Sequence, residues 1–310
     1  MCCLYGLMDY GHHLNGWEKS HIVTALAVES EARGTDATGI AYNSGGQLHI
    51  YKRPGPAHKL RFHIPEDAYV VMGHTRLTTQ GNEKRNRNNH PFRGSVPGTS
   101  FALAHNGVLH NDRTLRRTMQ LPATKIETDS YIAVQLLEQQ KALTPASLKS
   151  MAETVEGSFV FTVLDDKNSL CFVKGDNPLC LVQLPHLGLY LYASTKTILW
   201  AALDRLGLKK ERLTELSVDE GEIITLSPDG ARRSDYFDYT GHWSCGWFSG
   251  FNGSYRRSST LSAYDDSYLQ QLKNIAASLG YTGEEIDTLL ADGFSTDELE
   301  ELLYHYGVCY

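Results

Sequence analysis

A cysteine stands at position 2, directly after Met1. Once Met1 is removed, Cys2 carries a thiol and a free α-amine on one residue. The amine titrates at about pH 8 and the thiol at about 8.5, so one serves as base for the other at neutral pH. Nucleophile and general base then need no separate histidine. A second-position cysteine means little alone; its weight depends on what the rest of the chain adds. Four further blocks carry residues able to bind or polarise a substrate: Arg33-Gly34-Thr35-Asp36-Ala37-Thr38-Gly39, His74-Thr75-Arg76, His105-Asn106-Gly107 and Thr128-Asp129.

The elements that must position these residues are legible in outline. Residues 2–8 (CCLYGLM) read as a short buried strand. From Trp17 to about Arg33, Ile22, Ala25, Leu26 and Ala32 recur at helical spacing, with Gly34 placed to close the helix. Thr38–Tyr42 and Gln47–Lys52 read as strands joined by the turn NSGG, and Tyr69–His74 as a third. Residues 82–99, rich in turn formers, predict a long polar loop, a feature often tied to function. Ser100–Ala104 is strand-like, and Asn111–Met119 and Asp129–Gln140 read as helices. Strands follow at Ser158–Leu164, Leu170–Lys174, Leu179–Leu184, Gly188–Ala193 and Glu222–Leu226, with a helix at Thr195–Leu206. Many strands and several helices without strict alternation predict layered α+β architecture rather than a doubly wound parallel sheet.

Composition excludes several function classes. The 310 residues are 41% hydrophobic and 21% charged, an ordinary globular balance. A net charge of −7 argues against generic nucleic-acid binding. No stretch has the length of a membrane helix, and the N-terminus lacks a basic region followed by an apolar run. The six cysteines are scattered, with no CxxC pair, and no HExxH occurs. Neither a disulfide framework nor a metal site is expected, and reduced thiols suit a cytoplasmic protein.

Near residue 240 the chain turns rich in Gly, Ser and aromatics. The expected organisation is a main domain over residues 1–238, a linker over 239–263 and a small acidic helical segment over 264–310. Within that segment Thr282 and Glu285, then Ser295 and Glu298, form two T/S-x-x-E capping patterns, each followed by apolar residues on one face.

In their order after an N-terminal cysteine, the four blocks resemble class II glutamine amidotransferase domains, which are N-terminal-nucleophile hydrolases. The likeness is to the glutaminase domain of glucosamine-phosphate synthase, and it runs from Cys2 to about residue 230. It implies a four-layer αββα sandwich and hydrolysis of L-glutamine to glutamate and ammonia through a Cys2 thioester. Asn106 and Gly107 then suit the oxyanion hole, with a side-chain NH₂ and a backbone N–H converging on one oxygen; taken alone, Asn-Gly reads first as a turn pair. Arg76 suits the substrate carboxylate, or a surface ion pair at a strand end. Asp129 suits the substrate ammonium and can also cap the helix that follows. The resemblance adds Thr79 as a second carboxylate contact, Asn89-His90-Pro91 as a family segment in the polar loop, and a structural role for Arg33–Gly39. It implies no cofactor, and no GxxxxGK[ST] phosphate loop occurs.

The chain departs from the pattern at Leu77, where the synthase has a Trp tied to closing the site, and at Cys3, where Gly is usual. A thiol at position 3 could compete with Cys2 or pair with it. The stretch after residue 238 is too short for a fused synthase unit, so a separate synthase or acceptor protein is the expected partner for a stand-alone glutaminase. Another N-terminal cysteine hydrolase, or a binding protein on the same fold, is the alternative.

Overall fold

The computed structural model describes residues 2–239 and 281–291, together with Lys273 and Ala276. The chain divides into two compact units, Met1–Cys245 and Gly246–Tyr310.

Two antiparallel sheets form the first unit. One has seven strands in the order β11 (Thr214–Leu216), β9 (Cys180–Leu184), β10 (Leu189–Ala193), β1 (Cys3–Asp9), β4 (Val70–Arg76), β2 (Ala37–Ser44), β3 (Gln47–Pro54). The other has six, in the order β13 (Arg232–Tyr236), β12 (Glu222–Leu226), β8 (Leu170–Lys174), β7 (Gly157–Asp165), β6 (Thr99–Leu109), β5 (Phe92–Val96). Helices α1 (Gly16–Glu29) and α5 (Lys196–Arg205) pack on the first sheet. Helices α3 (Tyr131–Gln140) and α4 (Pro145–Thr154) pack on the second, and the short α2 (Asp112–Thr118) lies against α3.

Period-2 alternation along the strands builds this layering. On β1, Cys3, Tyr5 and Leu7 face α1 and α5, while Leu4 and Met8 join Met72, Ala102, Ala104, Val160, Phe172 and Tyr192 between the sheets. On β6, Phe101, Leu103 and Leu109 face the other helices. Three cores therefore separate four layers, αββα.

Several local readings are corrected. Residues 92–96 are not loop: FRGSV forms β5, paired with β6 across a Pro97-Gly98 turn. Its alternation is buried–exposed through Phe92, Gly94 and Val96, a pattern that Arg93 and Ser95 obscure in a string of turn formers. The helix expected to reach Arg33 ends at Glu29; a 3-10 turn over Ser30–Arg33 follows, and Gly34 closes that turn without the left-handed conformation: φ is 177°, ordinary extended backbone. It must be glycine for another reason, since a Cβ there would lie 2.4 Å from the Arg76 carbonyl carbon. Helix α4 was not anticipated, although Thr144 caps it, Pro145 opens it and Leu148 and Met151 share a buried face. Strands β11 and β13 were also missed; both are short, edge-placed and largely polar.

In the second unit, α6 (Gly283–Ala291) carries the reciprocal cap expected from Thr282 and Glu285: the Thr282 amide donates to Glu285 Oε2 at 2.7 Å and the Glu285 amide to Thr282 Oγ1 at 3.3 Å. The linker beyond Tyr239 and the Ser295/Glu298 pattern lie outside the described residues.

Candidate active site

At one end of the inter-sheet layer the apolar lining gives way to polar side chains. Continuing the alternation of Leu4 and Met8 puts Cys2 on this inner face. The same rule brings in His74 and Arg76 from β4 (after Met72), Asn106 from β6 (after Ala104) and Ser194 from the end of β10 (after Tyr192). Cys3 falls on the opposite face, buried under α1, with its thiol 3.3 Å from Ser30 Oγ. That geometry separates it from Cys2, and both thiols are free.

The block 33–39 holds the nucleophile strand. Arg33 Nε donates to the Cys2 carbonyl at 3.0 Å. The Asp36 amide donates to the Arg76 carbonyl at 2.9 Å, and Asp36 Oδ2 accepts the Thr78 amide at 2.7 Å. Cys2 itself is half-buried, its thiol 3.5 Å from the Leu77 carbonyl. Burial raises the thiol pKa; a backbone hydrogen bond at Leu77 and the charges of Arg76 and Arg33 act in the lowering direction. A thiol held above its usual range needs a base at hand to react at neutral pH.

Asn106 and Gly107 do not form a turn. Both lie inside β6, opposite Val160 and Phe159 of β7. Gly107 has φ +141°, and a Cβ would sit 1.9 Å from the Ser158 carbonyl oxygen, so only glycine fits. Asn106 Nδ2 lies 3.5 Å from Ser194 Oγ, which also accepts the Leu4 amide at 2.8 Å. Ser194 thus ties Asn106 to the nucleophile strand. It was missed in the sequence, where a serine after a strand carries no distinguishing signal.

Arg76 is 3% exposed. Nη1 donates to Asn89 Oδ1 at 2.7 Å and Nη2 to the Gln80 carbonyl, so it is not a surface ion pair. Burial lowers its pKa; Cys2, Glu83, Asp129 and Asp36 oppose that and stabilise the cation. Asp129 is 4% exposed and does not cap α3, whose N-cap is Ser130 with no side-chain cap bond. Its Oδ2 instead accepts the Leu109 amide at 2.7 Å, just past Asn106-Gly107. Cys2, Arg76, Asn106, Gly107 and Asp129 are therefore brought together. Thr79 stands exposed on the loop after β4.

Below them lie three buried imidazoles. His74 Nε2 bonds the His105 carbonyl at 3.0 Å, His105 Nδ1 bonds Ser130 Oγ at 2.9 Å, and the His74 and His90 rings are 4.1 Å apart. Burial lowers the pKa of all three, His74 to about 3. They are neutral at pH 7. Asn106 Oδ1, Thr78 Oγ1, Thr128 Oγ1, His74 Nδ1 and both His90 nitrogens are buried without a hydrogen-bond partner.

Residues 74–201 match the family described as a glutamine amidotransferase domain. This chain carries a glutamine amidotransferase domain. The curated relatives of the domain are consistent with this. It is 30% identical over 244 residues to a glutamine–fructose-6-phosphate aminotransferase (isomerizing) of Sulfurisphaera tokodaii, covering 73% of this chain and 40% of that protein. A protein of the same name from Halalkalibacterium halodurans is 28% identical over 213 residues, covering 66% of this chain and 35% of its own length. The chain thus spans less than half the length of these relatives. Among solved structures, glutamine phosphoribosylpyrophosphate amidotransferase from B. subtilis superposes with a TM-score of 0.60 at 22% identity, over 76% of this chain and 49% of that one. The four-layer αββα unit therefore shares the fold of that amidotransferase. No helix among the described residues is long and apolar enough to cross a membrane.

Proposed function

We propose that this domain hydrolyses L-glutamine to glutamate and ammonia, with Cys2 as nucleophile. After removal of Met1, the freed α-amine takes the thiol proton. The thiolate attacks the side-chain amide carbon, and the oxyanion is held by Asn106 Nδ2 and the Gly107 N–H. The tetrahedral intermediate collapses with loss of ammonia, the amine returning the proton to the leaving nitrogen. Water then cleaves the γ-glutamyl thioester and restores the thiol. Arg76 binds the substrate α-carboxylate with the N–H groups left after Asn89 and Gln80, assisted by Thr79 from the loop. Asp129 binds the α-ammonium. The ammonia passes to a separate acceptor protein, and the reduced thiols suit a cytoplasmic setting.

The observation that supports this reading is the grouping of a carboxylate, a buried guanidinium and an Asn-Gly pair with Cys2 at one polar end of the inter-sheet layer. Two opposite charges match the two ends of a free amino acid. The test is glutamate release from L-glutamine by the processed chain and by Cys2→Ala. Loss of all turnover in Cys2→Ala is expected; turnover retained in that variant would refute the assignment.

A further inference from the structure

Strands β3 and β5 are the terminal strands of their sheets, and a cavity of about 360 Å³ opens beside them. It is lined by Ile50, Tyr51, Lys52 and Arg53 from β3, Arg93 from β5 and Asn86 from the preceding loop. Three of the six side chains are cations and none is a carboxylate. Neither Arg53 nor Arg93 has a carboxylate partner among the described residues, whereas Arg85 and Arg87 share Glu127 and Arg205 pairs with Glu29. Arg93 Nη2 donates to the Leu48 carbonyl, and the Arg53 guanidinium lies 5.6 Å from the Tyr51 ring. Both residues are exposed, and these contacts leave guanidinium N–H groups over.

The third cation is connected inward. Lys52 Nζ donates to the Asn89 and Pro91 carbonyls, the latter at 2.9 Å, and lies 5.0 Å from the Phe92 ring. Asn89 in turn accepts from Arg76. Burial and Arg76 lower Lys52 to about 8, so an added negative charge nearby would stabilise its ammonium.

We propose that this cavity binds a phosphate group, free or carried by a small metabolite, between Arg53 and Arg93. A guanidinium fork matches phosphate oxygens, both arginines line the same cavity, and its volume leaves room for a small organic remainder. An anion there attracts the Lys52 ammonium away from the Asn89 carbonyl. Asn89 then holds Arg76 less firmly, and Arg76 has more donors for substrate; this second part rests on the function proposed above.

The test is calorimetric titration of the full chain with inorganic phosphate and with a sugar 6-phosphate at fixed ionic strength. One saturable site per chain is expected, weakened at least tenfold in the double variant Arg53→Ala/Arg93→Ala. Tighter binding of the sugar phosphate assigns a metabolite; equal binding assigns phosphate itself. Absence of saturable binding, or equal affinity in the double variant, overturns the site, as does binding of an acidic peptide with neither phosphate. In the same samples phosphate should lower the glutamine KM at least threefold in wild type and not in the double variant. An unchanged KM overturns the link to Arg76. A chain that binds phosphate but hydrolyses no glutamine refutes the proposed activity while leaving the site intact.

Discussion

Replacing Gly107 with alanine tests both the fold of the site and its chemistry. A Cβ at that position would lie 1.9 Å from the Ser158 carbonyl oxygen, 2.7 Å from the Ser158 carbonyl carbon and 2.8 Å from His105 Nε2. Ordinary contact begins at 3.4 Å, so the β6–β7 backbone must part by roughly 1.5 Å or Gly107 must leave its φ of +141°. Either route is resisted. The strained backbone region costs about 1–3 kcal/mol for a residue with a Cβ, and overpacking adds about 1–3 kcal/mol. A total near 4 kcal/mol lowers Tm by roughly 8–16 °C for a domain of this size. The shift also moves Asn106, one residue away on the same strand, and loss of one oxyanion donor costs about 10²–10³ in kcat. Thermal unfolding and glutaminase kinetics are measured on the same Gly107→Ala preparation. A Tm within about 2 °C of wild type together with kcat within about twofold would refute the reasoning.

Three further outcomes are expected. Asp129→Asn keeps an acceptor for the Leu109 amide but removes the charge, so the glutamine KM should rise about 10- to 100-fold with little change in Tm; an unchanged KM would remove Asp129 from substrate binding. Ser194→Ala strands the buried Leu4 amide and frees Asn106, so kcat should fall roughly tenfold with KM nearly constant; parallel changes in KM would point to a substrate contact instead. Folded His74 protonates only near pH 3 and His90 is lowered as well, while unfolded imidazoles protonate below about 6.5. The unfolded state therefore binds more protons in this window, and stability falls as pH drops below about 6.5 by about 1.4 kcal/mol per unit for each histidine. Urea midpoints at pH 7 and 5 measure this, and His90→Phe should reduce the slope; an identical slope in that variant would mean that folded His90 titrates normally.

Much of the fold was legible because its strands are apolar and alternate. The runs at 3–9, 70–76 and 170–174 are almost wholly buried and stand out against the polar turns beside them, such as DDKNS before Leu170. The segments that escaped are those where tertiary context decides. FRGSV becomes a strand only because Phe92 and Val96 fill the core against α3. Asn106-Gly107 looks like a turn in one dimension, yet β7 runs beside it and fixes Gly107 at a backbone position glycine alone occupies. Asp129 has the look of a cap, but the Leu109 amide, twenty residues earlier, claims its carboxylate. The candidate residues could be named from their types, while their convergence needed the register of two sheets. Ser194 and the Lys52–Asn89–Arg76 chain could not be read at all, since each depends on a long-range hydrogen bond.

The central claim is that Cys2, with a freed α-amine, is a nucleophile in a glutamine-shaped pocket. Intact mass of the purified protein, with and without a diazo-ketone analogue of glutamine, tests it most directly. Loss of Met1 and a single adduct mapped to Cys2, prevented by excess L-glutamine, is the predicted result. A processed chain that takes no adduct, or an adduct at Cys3, Cys171 or Cys180 instead, would contradict it.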